Sequence, residues 1–150
     1  MFKRVFGVKG YWKATLTGPN GDIIKHVEGS NVVTTVGKEY LASFMYSATV
    51  AASTFTMQYV GIGSDATAEA ASNTALGSEL ARVSGIVSYV SGQIYRVTAT
   101  FATGVGTGSI VEYGLFSSST SGTMLARDTE ATITKGANDT LTVTADFTIS

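Results

Sequence analysis

Cysteine is absent from this 150-residue chain, which excludes disulfides, zinc–thiolate sites and thiol nucleophiles. Charge is scarce as well. Asp, Glu, Lys and Arg make up 14% of the residues, against roughly 25% in ordinary soluble domains, and the net charge is −1. Nothing in that balance attracts nucleic acid or an anionic membrane in general. There is one histidine, so a Ser-His-acid triad would have to use His26, which lies between Lys25 and Val27 with no nucleophile elbow nearby. A solvent-facing strand residue is the expectation for it. No apolar run approaches the roughly 20 residues that span a bilayer, and the N-terminus lacks the apolar stretch of a secretory signal. A soluble chain with no cofactor is expected, and its size suits one domain over residues 1–150.

Threonine, serine, alanine and glycine take the place of the missing charge, and the period-2 alternation they share with apolar residues reads as strands. Tyr11–Thr17 sets Trp12, Ala14 and Leu16 on one face. Gly18-Pro19-Asn20-Gly21-Asp22 follows as a turn, and Ile23–Glu28 returns. The clearest alternation closes the chain, with Leu141, Val143, Ala145, Phe147 and Ile149 on one face. Further strands are predicted at 56–60 (breaking on Gly61), 78–82, 83–90, 94–101, 109–116 and 123–129. One helix is predicted over about 35–46, capped by Thr34 or Thr35 and weakened by Gly37, with Tyr40, Leu41, Phe44 and Met45 as its apolar stripe. Residues 47–54 read as a linker or lining loop. The fold class that follows is mainly β: an antiparallel β-sandwich or jelly-roll-like fold carrying one short helix.

Several residue sets invite chemistry. Gly61-Ile62-Gly63-Ser64-Asp65-Ala66 matches a dinucleotide fingerprint, but hairpins follow it where a βαβ unit would be needed. Asp65, Glu69 and Asn73 would align for calcium on a short helix, although the dense oxygen ligands of a dedicated loop are missing. Glu112 and Asp146 could form a carboxylate pair for glycoside hydrolysis. The competing expectation pairs Glu112 with Arg82 or Arg127 and leaves Asp146 on a wet face. Tyr11, Trp12, Tyr89 and Tyr95 are the only candidates for a sugar platform. Asn138-Asp139-Thr140 fits a glycosylation sequon but reads as a turn. Together these give no catalytic centre and no metal site.

Val60-Gly61-x-Gly63 with Ala66, then Thr74-x-Leu76-x-x-Glu79-x-x-Arg82, resembles a group of small virion structural proteins of tailed bacteriophages. The likeness continues, in order, through Asn31-Val32-Val33-Thr34 with Gly37 and Leu41, Ile110-x-Glu112-x-Gly114-Leu115-Phe116, Gly122-x-x-x-Ala126-Arg127 and Leu141-x-Val143-x-Ala145-x-Phe147. It covers roughly residues 30 to 149. Ala145 departs from it, since a larger residue, often tryptophan, is expected there, and this predicts a thinner core. The resemblance implies a non-enzymatic capsid decoration or cement protein, made in the host cytoplasm, located on the virion's capsid surface, and trimeric. Its implied partner is the major capsid protein; tail, baseplate or fibre proteins are the alternative. Lys3, Arg4, Lys9 and Lys13 put four cations and no acid into the first thirteen residues. They read either as a solubilised chain end or as a docking arm over residues 1–10, and on the docking reading Phe2, Lys3, Arg4, Phe6 and Lys9 form the interface.

Overall fold

A computed structural model describes residues 7–46 and 56–150, the side chains of Met45 and Tyr46 excepted. Phe2, Lys3, Arg4 and Phe6, the Met45 side chain and the 47–54 loop lie outside the described residues.

Two antiparallel five-stranded sheets form a β-sandwich. The strands are β1 (Val8–Thr17), β2 (Ile23–Ser30), β3 (Val32–Val33), β4 (Tyr59–Gly63), β5 (Glu79–Ser84), β6 (Ile86–Ser91), β7 (Ile94–Phe101), β8 (Gly108–Phe116), β9 (Met124–Lys135) and β10 (Thr140–Ile149), and α1 spans Thr35–Tyr46. The first sheet runs β2-β1-β10-β7-β6 and the second β3-β9-β8-β4-β5. Alternation decides which side chains meet between them. Trp12, Leu16, Val97, Phe101, Leu141 and Phe147 from the first sheet close on Val60, Ile62, Ile110, Tyr113, Leu115 and Ile133 from the second.

The predicted hairpin at residues 18–22 forms, with the Gly18 amide donating to Asp22 O at 2.9 Å and Gly21 at φ 86°. Thr34 is the helix cap. Its hydroxyl accepts from the Gly37 amide at 3.0 Å and donates to Met124 O at 2.5 Å, so one buried side chain both starts α1 and ties it to β9. Gly37 is there for proximity, because a Cβ on it would lie 2.5 Å from Leu125 O. Tyr40 and Leu41 then pack on the core, while Phe44 is half exposed.

Four differences from the sequence expectation bear on the topology and packing. β4 runs through Gly61 and Gly63, whose missing side chains serve close packing and do not break the strand. The runs predicted at 78–82 and 83–90 become β5 and β6, which belong to different sheets. Gly85 makes the switch: a Cβ there would sit 2.5 Å from Val97 Cγ1, and its amide donates to Gln58 O at 2.7 Å. β9 continues past residue 129 to Lys135 through a register irregularity opposite Val111. β3 has only two residues, too short to leave a periodic signal. The core at Ala145 is not thin, because the residue directly opposite is Trp12, itself buried and edge-on to Phe147 at 6.5 Å.

Candidate functional site

The chemistry-bearing residues that the sequence scatters gather on the outer face of the second sheet, beneath the long 64–78 connection. Glu112 (β8) and Arg127 (β9) project outwards from neighbouring strands, since their chain neighbours Tyr113 and Ala126 project into the core. Arg127 Nε and Nη2 donate to Glu112 Oε2 at 3.1 and 2.9 Å. Glu112 also accepts the backbone amides of Asp65 (3.2 Å), Gly77 (2.9 Å) and Ser78 (2.8 Å). Arg127 spends its remaining donors on the same connection: Nη1 reaches Thr67 O at 2.9 Å and Asn73 Oδ1 at 3.3 Å, and Nη2 reaches Asp65 Oδ2 at 3.3 Å. Both ends of the connection are thereby fastened to one buried ion pair. Such a pair survives burial only because almost every lone pair and N–H has a partner.

Space for this clasp comes from glycine. A Cβ on Gly63 would lie 2.3 Å from Glu112 Oε1, and one on Gly77 would lie 1.8 Å from Asp65 Oδ2. On Gly61 and Gly114 it would meet Phe116 Cε2 at 3.0 and 2.8 Å. Gly61-x-Gly63 makes room for a carboxylate and for a small outer core of Leu76, Phe116 and Met124. Beside that core Arg82 lies over the Phe116 ring, 3.5 Å from its centroid. It pairs with Glu79 at 2.6 Å and donates to Ser118 O and Ser121 O at 3.0 and 2.7 Å. Arg82 thus anchors the β8–β9 loop, where Ser121 is held at φ 53°.

Of the two arginines open to Glu112, the structure selects Arg127. Asp146 sits on the outer face of the other sheet with Arg96, at 2.6 Å twice, so Glu112 and Asp146 occupy opposite sides of the sandwich and form no catalytic dyad. No helix forms at 66–71. Asp65, Glu69 and Asn73 are instead used separately. The Thr67 hydroxyl and amide, with Arg127 behind them, hold the Asp65 carboxyl below its ordinary range; Glu69 accepts from the Thr129 hydroxyl; Asn73 accepts from the Ala70 amide. No group of three or more metal-binding side chains occurs among the described residues. His26 is exposed between Thr15 and Glu28, at 2.8 and 3.2 Å. The four aromatics do not form a platform: Trp12 is core, Tyr95 donates to Met57 O at 2.7 Å, and Tyr11 and Tyr89 stand on strands separated by β10 and β7. Asn138-Asp139-Thr140 is a turn, closed by the Gly136 amide on Asp139 Oδ2 at 2.7 Å.

Sequence reasoning missed a second polar group inside the sandwich. Asp128 and Tyr113 face each other across β9 and β8, Tyr113 lies 6.2 Å from Trp12, and Asn31 precedes the β3 pairing to Arg127. Trp12 Nε1, the Asn31 amide, Tyr113 OH and Asp128 Oδ2 are all buried without a hydrogen-bond partner. Desolvation, then Glu130 and Glu69, push the Asp128 carboxyl up to about 7. Asp128 alternates with Arg127 along β9, so its inward direction was readable only once β9 had been placed in its sheet.

Near the chain's entry, Lys9 is exposed on β1 opposite Thr148, and Gly7 exchanges backbone hydrogen bonds with Ser150 at 2.7 and 2.9 Å. Next to it lies an apolar pocket of about 190 Å³, lined by Val8, Tyr40, Leu41, Met57, Tyr95 and Phe147 among others.

No family model, no curated protein and no solved structure matches the chain.

Proposed function

We propose that this chain is a non-enzymatic structural protein of a tailed-bacteriophage virion, a decoration or cement protein that binds the major capsid lattice as a homo-oligomer, a trimer on the simplest reading. The observation that carries this is the convergence of nine of the positions on which the phage resemblance rests. Gly61, Gly63, Leu76, Glu79, Arg82, Glu112, Gly114, Phe116 and Arg127 come from separate segments, yet they fasten one another on a single sheet face. Residues that hold each other in place are ones a shared fold would keep, and this supports the reading.

The physical properties suit the role. A lattice clamp gains from rigidity, because order built in beforehand is not lost on binding. The clasp supplies that rigidity to the longest described connection. Low charge lets sheet surfaces approach a neighbour with little desolvation cost. In this reading Phe2, Lys3, Arg4 and Phe6 anchor on the capsid protein, and exposed Lys9 extends the same cationic start.

The test is co-sedimentation of the purified protein with empty capsids and, separately, with isolated tails of the same virus. Saturation on capsids at lattice copy number supports the decoration role. Binding to tails alone transfers the protein to a tail, baseplate or fibre-adaptor role, and binding to neither overturns both.

A further inference from the structure

Among the described residues the sandwich has four outer strand edges, and three are defended against addition of another strand. β2 carries Lys25, His26 and Glu28 and is tied back by Lys25 Nζ donating to Thr132 O at 2.7 Å. β3 has two residues. β5 bears the Glu79–Arg82 pair. β6 has no charge and no tie-back; its one irregularity is a register shift between Tyr89 and Ser91, beyond the regular run Ile86–Tyr89. All six of its residues are exposed, with Ile86 at 77% and Tyr89 at 75%. From Val83 to Tyr95 there is no charge and no proline, two of the features by which natural edges turn other strands away. β6 also overhangs its own sandwich: Val87 and Tyr89 stand opposite core-facing Val97 and Tyr95, yet no strand of the second sheet closes over Tyr89.

We infer that β6 is a self-association edge, at which two copies of this chain pair β6 against β6, antiparallel, about a twofold axis. An open edge offers a row of N–H and C=O groups that only another extended backbone satisfies in full, so the occupant is a strand. That strand must itself be uncharged, because a charge set against Ile86, Val87 or Val90 would lose water and gain no counterion. A second β6 meets both requirements in every molecule. Centred on Ser88, the pairing sets Val87 against Tyr89 on the inner face and Ser88 against its own copy at the axis, with Ile86 reaching towards Val90, which the β6–β7 register leaves unpaired. An isologous contact closes after two copies and does not propagate into fibres. This inference does not depend on the lattice binding of the capsid reading, and a closed dimer would replace the trimer of that reading.

Sedimentation velocity of the full chain over a wide concentration range, with hydrogen exchange of the 86–91 amides, tests it. A concentration-dependent dimer with β6 amides protected only in the dimer is expected. Ser88→Lys places two ammonium groups face to face at the axis and weakens the dimer about tenfold or more; I86K/V90K does the same from the flanks. Both variants alter exposed side chains only, and circular dichroism checks that each is folded. A protein that stays monomeric throughout, or a dimer that survives both variants, overturns the proposal. Co-sedimentation of S88K with capsids is read separately, so loss of the dimer with capsid binding intact leaves the capsid reading standing.

Discussion

Arg127 turns two nitrogens onto a single oxygen of Glu112, at 3.1 and 2.9 Å, with both side chains shut away from solvent. The other oxygen, Oε1, is left for the amides of Asp65 and Ser78. The pair is therefore a fastening for backbone.

Removing either charge strands the other. Glu112→Gln and Arg127→Met are each expected to cost about 3–5 kcal/mol, and the double variant less than their sum, because it leaves no unpaired buried charge. Urea unfolding of the four proteins gives the coupling energy. Limited proteolysis of the single variants should open first within 64–78, and a coupling near zero would mean that the clasp contributes nothing.

Arg82 acts through its flat fork, on Phe116 below and on two loop carbonyls beyond. Arg82→Lys keeps the charge but loses the stacking and the paired donors, so it should lose about 1–2 kcal/mol and speed protease cleavage in the 117–122 loop. Wild-type stability in R82K would reduce the residue to a surface charge.

Gly37→Ala reverses the sign that helix propensity gives. Alanine in a helix interior is favoured over glycine by about 1 kcal/mol. Here the added methyl meets the Leu125 backbone at 2.5 Å, and moving α1 off β9 should cost about 1–3 kcal/mol net. A higher Tm for G37A would show that the helix can shift freely.

Asp128 makes stability depend on pH. Its folded pKa, about 7, stands above the unfolded value of about 3.9, so the fold prefers the protonated carboxyl. That contribution is complete below about pH 4, declines as pH rises, and is gone above about pH 7. Tm should therefore rise on acidification from about pH 8 to about pH 5, and Asp128→Asn should remove most of the slope. An unchanged slope in D128N would assign it to other groups.

The sequence by itself determined the class of fold and the inward face of its clearest strands. Alternation in Tyr11–Thr17 and Thr140–Ile149 named the buried residues correctly except Ile149, which is exposed at the strand's end, because a side chain's face in a strand depends only on its parity. The hairpin at Gly18–Asp22 and the Thr34 cap were legible for the same local reason, since turn and cap chemistry acts over three or four residues. Tertiary structure alone decided what the glycines and charges are for. Gly61 and Gly63 looked like a strand break or a phosphate cradle until β8 brought Phe116 and the Glu112 carboxylate against them. Glu112 had two arginines within reach of the pattern, and the β8–β9 register chose Arg127. Gly85 gave no sign that the chain changes sheets there, and Trp12 gave none that it fills the space beside Ala145. These contacts join residues dozens of positions apart, and which ones meet is fixed by strand order and register. Periodicity reports only which way each side chain faces.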